Sequence, residues 1–323
     1  MSYTRNRNVE LDVLKGILIS LMVLGHVIGS LNKSSLVVNS DVTATLMNWI
    51  YSFHMEAFFI ISGMLFPGSL KKSLKSVIKS KASTLYWPYL LWGTIYLTLE
   101  YISGKVVSFS WERFILLPFE PVGYGTWFLL TMFLISLVCS LIYKKARKPQ
   151  VWFVFIAFIW ILTNPLGLDV PDTVQNAINF IPFFIIGSLY YDEITSLAKK
   201  TNSILSVLII SSSILMSQIG FEIGDAAHLL NALLGAFGVY SLIYRVEFLK
   251  IYNIFSFLGK VSLKIFLIHG IVKAPIVWLI LNKFSCLSEF FQIFSVYFLT
   301  LILTVFLCLV LDKFKLRFLF SLK

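Results

Sequence analysis

The run Leu11-Asp-Val-Leu-Lys-Gly-Ile-Leu-Ile-Ser-Leu-Met-Val-Leu-Gly-His26 is apolar enough to enter a bilayer, yet it carries a lysine and a histidine. With the residues that follow to Leu31 it is about as long as a membrane-spanning helix. An α-helix turns about 100° and rises about 1.5 Å per residue, so the eleven steps from Lys15 to His26 return to within roughly 20° of one face, roughly 16 Å further along the axis. Asp12 falls on that face too, one turn before Lys15. Ionisable groups at such depth are expensive and, by default, functional.

Nine further stretches have comparable length and character, near 43–66, 84–102, 125–143, 151–168, 174–191, 203–220, 226–246, 257–281 and 290–312. Pro165 and Pro182 interrupt the fifth and sixth of the ten. Hydrophobic residues make up 58% of the 323 positions and charged residues only 13%. A soluble domain of this size cannot hide that much apolar surface. The expected fold is therefore all-α: a polytopic membrane helix bundle of about ten spans, with residues 1–323 as a single domain. The first run has no small-residue cleavage site and holds internal charges, which argues against a removable signal peptide. Cys139, Cys286 and Cys308 lack metal-ligand spacing and read as small core residues.

Charge placement orients the bundle. With the N-terminus cytoplasmic, the inner loops and tails collect twenty of the 27 Lys and Arg residues, while the outer loops hold only Lys33, Lys105, Arg113 and Lys283. Lys15, Lys264 and Lys273 lie within spans. This asymmetry predicts both termini inside. It also accounts for the formal net charge of +11 without nucleic-acid binding, since the basic residues are scattered among several loops. In the densest inner loop, Leu70 to Lys81, an apolar face of Leu70, Leu74, Val77 and Ile78 opposes Lys71, Lys75 and Lys79. That is an interfacial helix, read either as anchoring to anionic lipid or as a phosphate-binding rim.

The remaining ionisable groups sit in other spans. His54 and Glu56 lie near mid-membrane in the second run but, two residues apart, point to different neighbours. An unpaired Glu56 carboxylate there is costly or must stay protonated. His269 is mid-span in the ninth run with Lys273 one turn further on its face. His228, beside Asp225 and Glu222 at a helix end, reads as a surface or binding-site residue.

Taken together, Asp12-x-x-Lys15-Gly16 with Gly25-His26, then Phe53-His54-Met55, Phe58-Phe59 and Ser62-Gly63, resemble the acyltransferase-3 family of membrane O-acyltransferases. Pro88-Tyr89, Trp127-Phe128-Leu129, Phe183-Phe184, Gly187, Ser262-Leu263 and Leu267-Ile268-His269 extend the resemblance over the whole chain. The chain departs from the pattern at Glu56, where many members have proline, at Thr84, where an arginine is often found, and at Lys273.

The resemblance implies transfer of an acetyl or similar short acyl group from cytosolic acyl-coenzyme A to a sugar hydroxyl. The acceptor would be a surface glycan or its lipid-linked precursor, met at a bacterial inner membrane. No cofactor would be bound permanently. His26, His54, Glu56 and His269 are then the candidate catalytic residues, with His26 as base or transient acyl carrier. Asp12, Lys15, Lys79 and Lys81 are the candidate donor-binding residues. A proton-coupled transporter, or an exporter of a glycan or small solute, is the competing class, but no matching halves with corresponding Gly or Pro breaks are visible.

Overall fold

The computed structural model describes residues 8–33, 41–104, 111–120, 125–145, 148–163, 170–220, 225–246, 250–284 and 286–322. The described residues form helices and their connections. In chain order these are α1 (Val9–Lys33), α2 (Asp41–Tyr51), α3 (His54–Leu65), α4 (Pro67–Leu70) and α5 (Leu74–Lys81), then a π-helical turn (Ala82–Tyr86) leading into α6 (Trp87–Ile102). Next come α7 (Trp111–Leu116), α8 (Trp127–Lys145), α9 (Pro149–Thr163), α10 (Asp172–Leu189) and α11 (Tyr191–Lys200). The last are α12 (Ser203–Ser217), α13 (Ala226–Ile243), α14 (Lys250–Lys260), α15 (Ser262–Lys283) and α16 (Glu289–Lys313).

Each of the ten expected stretches contains a helix. Among the described residues six spans are long and apolar enough to cross a membrane, and α11 with α12, bent by 115° at their junction, makes a seventh if counted as one. The others are shorter or, like α10 with Asp172, Gln175 and Asn179 in its first half, more polar. On α16 the side chains of Phe290, Phe294, Ile302 and Phe306 are exposed. That surface suits hydrocarbon rather than water.

Two expected helices are broken. The stretch 43–66 divides at Ser52–Phe53, where Ser52 N–H is shared between the Asn48 and Trp49 carbonyls and Phe53 N–H bonds Ile50 O. The Ser52 hydroxyl also donates to Trp49 O at 2.8 Å, the local competition by which serine tightens or ends a helix. The stretch 257–281 divides at Val261, where Ser262 Oγ donates to Gly259 O at 2.9 Å. By contrast Pro182 lies inside α10 without ending it, while Pro165 falls outside the described residues. Cys139 and Cys308 are buried as expected, but Cys286 is exposed in the turn after α15 and is not a core residue.

The chain divides into two compact units. The first comprises residues 1–58, 192–222 and 226–310. Its α1 packs on α14 through a reciprocal glycine contact. A Cβ on Gly16 would lie 1.9 Å from Phe255 O, and one on Gly259 would lie 1.7 Å from Asp12 O. The two backbones thus touch, which only glycine permits. The second unit comprises residues 59–191, 223–225 and 311–323. It repeats the device between α3 and α10, where Gly63 faces Phe184 O and Gly187 faces Ile60 O, each at 2.0 Å from an added Cβ.

In the second unit the π-helical turn precedes Pro88. Proline has no N–H to give the Thr84 carbonyl, and the wider turn absorbs that mismatch, with Trp87 N–H reaching back to Ala82 O. The C-terminal segment is strapped against this region. Trp87 Nε1 donates to Phe318 O and Trp92 Nε1 to Leu319 O, both at 2.7 Å, and Ser83 and Ser321 hydroxyls meet at 3.2 Å. We expect Trp92→Phe, which removes one such bond, to cost about 1 kcal/mol. A thermal melt of detergent-solubilised protein that leaves the midpoint unmoved would remove the strap from the stabilising contacts.

Candidate active site

In the first unit, α1 and α15 bring two imidazoles into contact. His26 Nδ1 lies 2.8 Å from His269 Nε2. His269 Nδ1 faces two main-chain carbonyls, Phe266 O at 2.8 Å and Ile265 O at 3.1 Å. A carbonyl only accepts, so His269 Nδ1 carries the proton and, in the neutral pair, His269 Nε2 offers a lone pair. His26 Nδ1–H therefore donates to it, and the lone pair of His26 is left on Nε2. The relay from carbonyl through His269 to His26 fixes one tautomer and one ring orientation, as the third member of a catalytic triad does.

Their meeting depends on the glycine contact below. α14 is locked to α1 at Asp12–Gly16, and only Val261 separates α14 from α15. The register of α15 along α1 is thereby set, and His269 arrives beside His26. Around the pair, the Tyr51 ring stacks on His26 with centroids 6.3 Å apart. Lys273 Nζ donates to the His26 carbonyl at 3.0 Å, and Ser30 Oγ donates to the same oxygen at 2.8 Å. His269 is buried, whereas His26 is half-buried and Tyr51 exposed.

At the other end of the α1 stripe, Lys15 Nζ and Asp12 Oδ1 form an ion pair at 2.6 Å. The Asp12 side chain is 3% exposed and that of Lys15 22%. The aspartate is thus enclosed, and the ammonium is open on one side.

His54 and Glu56 diverge as their spacing requires. His54 Nδ1 donates to Ile50 O at 2.6 Å. Glu56 Oε1 lies 3.2 Å from His228 Nε2 on α13, an ion-pair distance without the alignment of a straight hydrogen bond. His228 is only 4% exposed, so the surface reading is corrected: the start of α13 lies inside the unit, and the imidazole faces the buried carboxylate. Glu222 is outside the described residues. One turn further along α13, the buried Asn231 donates through Nδ2 to Ser52 Oγ at 3.0 Å. Sequence reasoning missed Tyr51 and Asn231, and it named His228 without pairing it with Glu56. The one available signal was the need of a mid-membrane Glu56 for a partner, which sequence separation does not identify.

Lys79 and Lys81 belong to the second unit. They lie in the last turn of α5, Lys79 exposed and Lys81 half-buried, just before the π-helical turn. As expected, Val77 is buried and Lys71, Lys75 and Lys79 are exposed, but the expected single helix over 70–81 is broken, with Lys71 in the turn between α4 and α5, and Ile78 on the expected apolar face is 37% exposed.

A helical membrane protein with a tautomer-fixed imidazole pair in its span has the groups for proton transfer to and from a substrate hydroxyl. The sequence profile of one family, described as an acyltransferase domain, matches residues 8–313. The chain belongs to that family, acyltransferase-3. Among characterised relatives it is 27% identical over 192 residues to the nodulation protein NolL of Mesorhizobium japonicum, covering 59% of this chain and 50% of that one. It is 29% identical over 211 residues to NolL of Sinorhizobium fredii, covering 64% and 55%. Glucans biosynthesis protein C of Escherichia coli K12 is 27% identical over 195 residues, covering 47% and 49%. The chain thus spans about half the length of the curated relatives it matches. No solved structure matches it.

Proposed function

We propose that this chain is a multi-pass membrane O-acyltransferase that moves an acetyl or similar short acyl group from acyl-coenzyme A to a sugar hydroxyl of a surface glycan or its lipid-linked precursor. The observation that carries the reading is the His26–His269 pair within a chain of the acyltransferase-3 family. The name of the glucans biosynthesis relative supports a carbohydrate acceptor. The membrane is a bacterial inner membrane, crossed ten times with both termini in the cytoplasm, and the whole chain acts as one catalytic domain.

A sugar hydroxyl is a poor nucleophile near neutral pH, so a positioned base is needed. His26 Nε2 takes the hydroxyl proton as the oxygen attacks the thioester carbonyl. The C–S bond breaks, and the thiolate leaves with that proton as free coenzyme A. His269 holds His26 in the productive tautomer. His54 orients the reactants. Lys15, anchored by Asp12, binds donor phosphate in its unit, and Lys79 and Lys81 do so in theirs.

Lys15→Ala removes the ammonium from a buried aspartate, at a cost of about 3–5 kcal/mol. We expect Asp12→Asn with Lys15→Ala to restore the thermal midpoint, while the KM for acetyl-coenzyme A stays about 10- to 100-fold raised, the worth of one charge-assisted bond. A wild-type KM in the folded double variant would free Lys15 of the donor role. The reading as a whole is tested with purified protein in nanodiscs, radiolabelled acetyl-coenzyme A and pooled lipid-linked glycans. Label in the glycan fraction supports it. Folded protein that neither transfers label nor releases coenzyme A returns the transporter reading.

A further inference from the structure

The first unit holds a second buried polar cluster, which the proton transfer at His26 does not use. Glu56 is 1% exposed and Asn231 fully buried. Glu56 gives Oε1 to His228, but its Oε2 has no hydrogen-bond donor among the described residues. Asn231 donates through Nδ2 to Ser52, and its main-chain oxygen accepts from Ser213 Oγ at 3.4 Å. Its side-chain Oδ1 likewise has no donor among the described residues. These two acceptors belong to one cluster, since Ser52 and Glu56 are four residues apart, and Asn231 and His228, three apart on α13, are their respective partners.

We propose that Glu56 and Asn231 form a subsite for hydroxyl groups of the acceptor sugar next to the hydroxyl acylated at His26, an inference that rests on the proposed function. Three features point to this ligand class. First, a carboxylate oxygen and a carboxamide oxygen both lack donors, and a hydroxyl supplies a donor to a buried site without bringing charge. A buried acceptor left unmade is costly, so the pair gains most from a ligand that fills both.

Second, the cluster adjoins the base. Ser52, which receives Asn231, directly follows Tyr51, whose ring stacks on His26 and meets His54 edge-on at 5.4 Å. Tyr51 is 40% exposed, and its face suits the apolar C–H side of a sugar ring whose hydroxyls turn toward Glu56 and Asn231. Third, the backbone is irregular here. The helix breaks at Ser52–Phe53 within a span, and such breaks at membrane depth are tolerated where they are enclosed by protein or line a cavity.

A site built to bond a hydroxyl rejects the analogue that lacks it, because its own buried polar groups are then left unmade. The probes are octyl glucoside, octyl galactoside, octyl fucoside and their monodeoxy analogues, offered with radiolabelled acetyl-coenzyme A to wild type, Glu56→Ala and Asn231→Ala in nanodiscs. For wild type we expect kcat/KM to fall about 100-fold between an accepted glycoside and one of its deoxy analogues. In either folded variant that ratio should collapse toward one, with partial return in Glu56→Gln. A merely structural role lowers both acceptors alike and leaves the ratio unmoved, which overturns the subsite. Acetyl-coenzyme A hydrolysis with no glycoside accepted also overturns it. Absence of any acetyl-coenzyme A turnover overturns the proposed function instead.

Discussion

Replacing His26 with alanine should lower acyl transfer by about 100- to 10,000-fold, the usual worth of a positioned general base, without lowering membrane insertion. The imidazole is half-buried and its loss leaves His269 Nε2 without its donor, a modest structural change beside the chemical one. His269→Ala should cost less, about 100-fold, because the base remains while its tautomer and orientation are no longer held. His269→Gln should recover part of that loss, since a carboxamide oxygen can still accept from His26 Nδ1. Steady-state transfer assays on the three purified variants separate the roles. A fully active His26→Ala would remove the base from the mechanism, and an unimpaired His269→Ala would remove its orienting partner.

The second large effect is expected far from the reacting groups. Gly259→Leu should yield no folded protein, and Gly259→Ala should lower the thermal midpoint sharply. A Cβ there would stand 1.7 Å from Asp12 O and 3.0 Å from Gly16 N, main-chain atoms that cannot rotate away. Overpacking typically costs about 1–3 kcal/mol and more where backbone must move. Here α14 must lift from α1, and it carries α15 with it across the short break at Val261. Activity should therefore fall at temperatures where Gly259→Ala is still folded, as the His26–His269 distance opens. Gly29→Ala is the comparison, because an added Cβ meets nothing nearer than the Met47 methyl at 3.6 Å. Size-exclusion thermal stability of the two alanine variants tests the contrast. Equal midpoints would mean that the α1–α14 contact is looser than its geometry indicates.

Much of this was legible in the chain itself. The apolar runs named the helices, since a stretch of that length and hydropathy has no other way to satisfy its backbone in lipid. The eleven-residue step placed Lys15 and His26 on one face, and the three-residue step paired Asp12 with Lys15, because helical geometry alone decides such local relations. The two-residue step correctly sent His54 and Glu56 to different neighbours.

What the chain could not disclose was every relation between helices distant in sequence. His269 meets His26 across 243 positions, and nothing in either run encodes the other. The relation arises because Gly16 and Gly259 let two backbones touch and so fix a register. Glu56 announced that it needed a partner, but the partner became His228 only when the start of α13 was folded inside the unit. The breaks at Ser52 and Val261 escaped for a related reason: each stretch is apolar enough to read as one continuous span, and the hydroxyl-to-carbonyl bonds that mark the breaks depend on backbone geometry rather than on hydropathy. Sequence determined which groups enter the membrane and at what height along their own helices. Tertiary packing alone decided which of them face one another, and so which nitrogen of His26 is left with a lone pair.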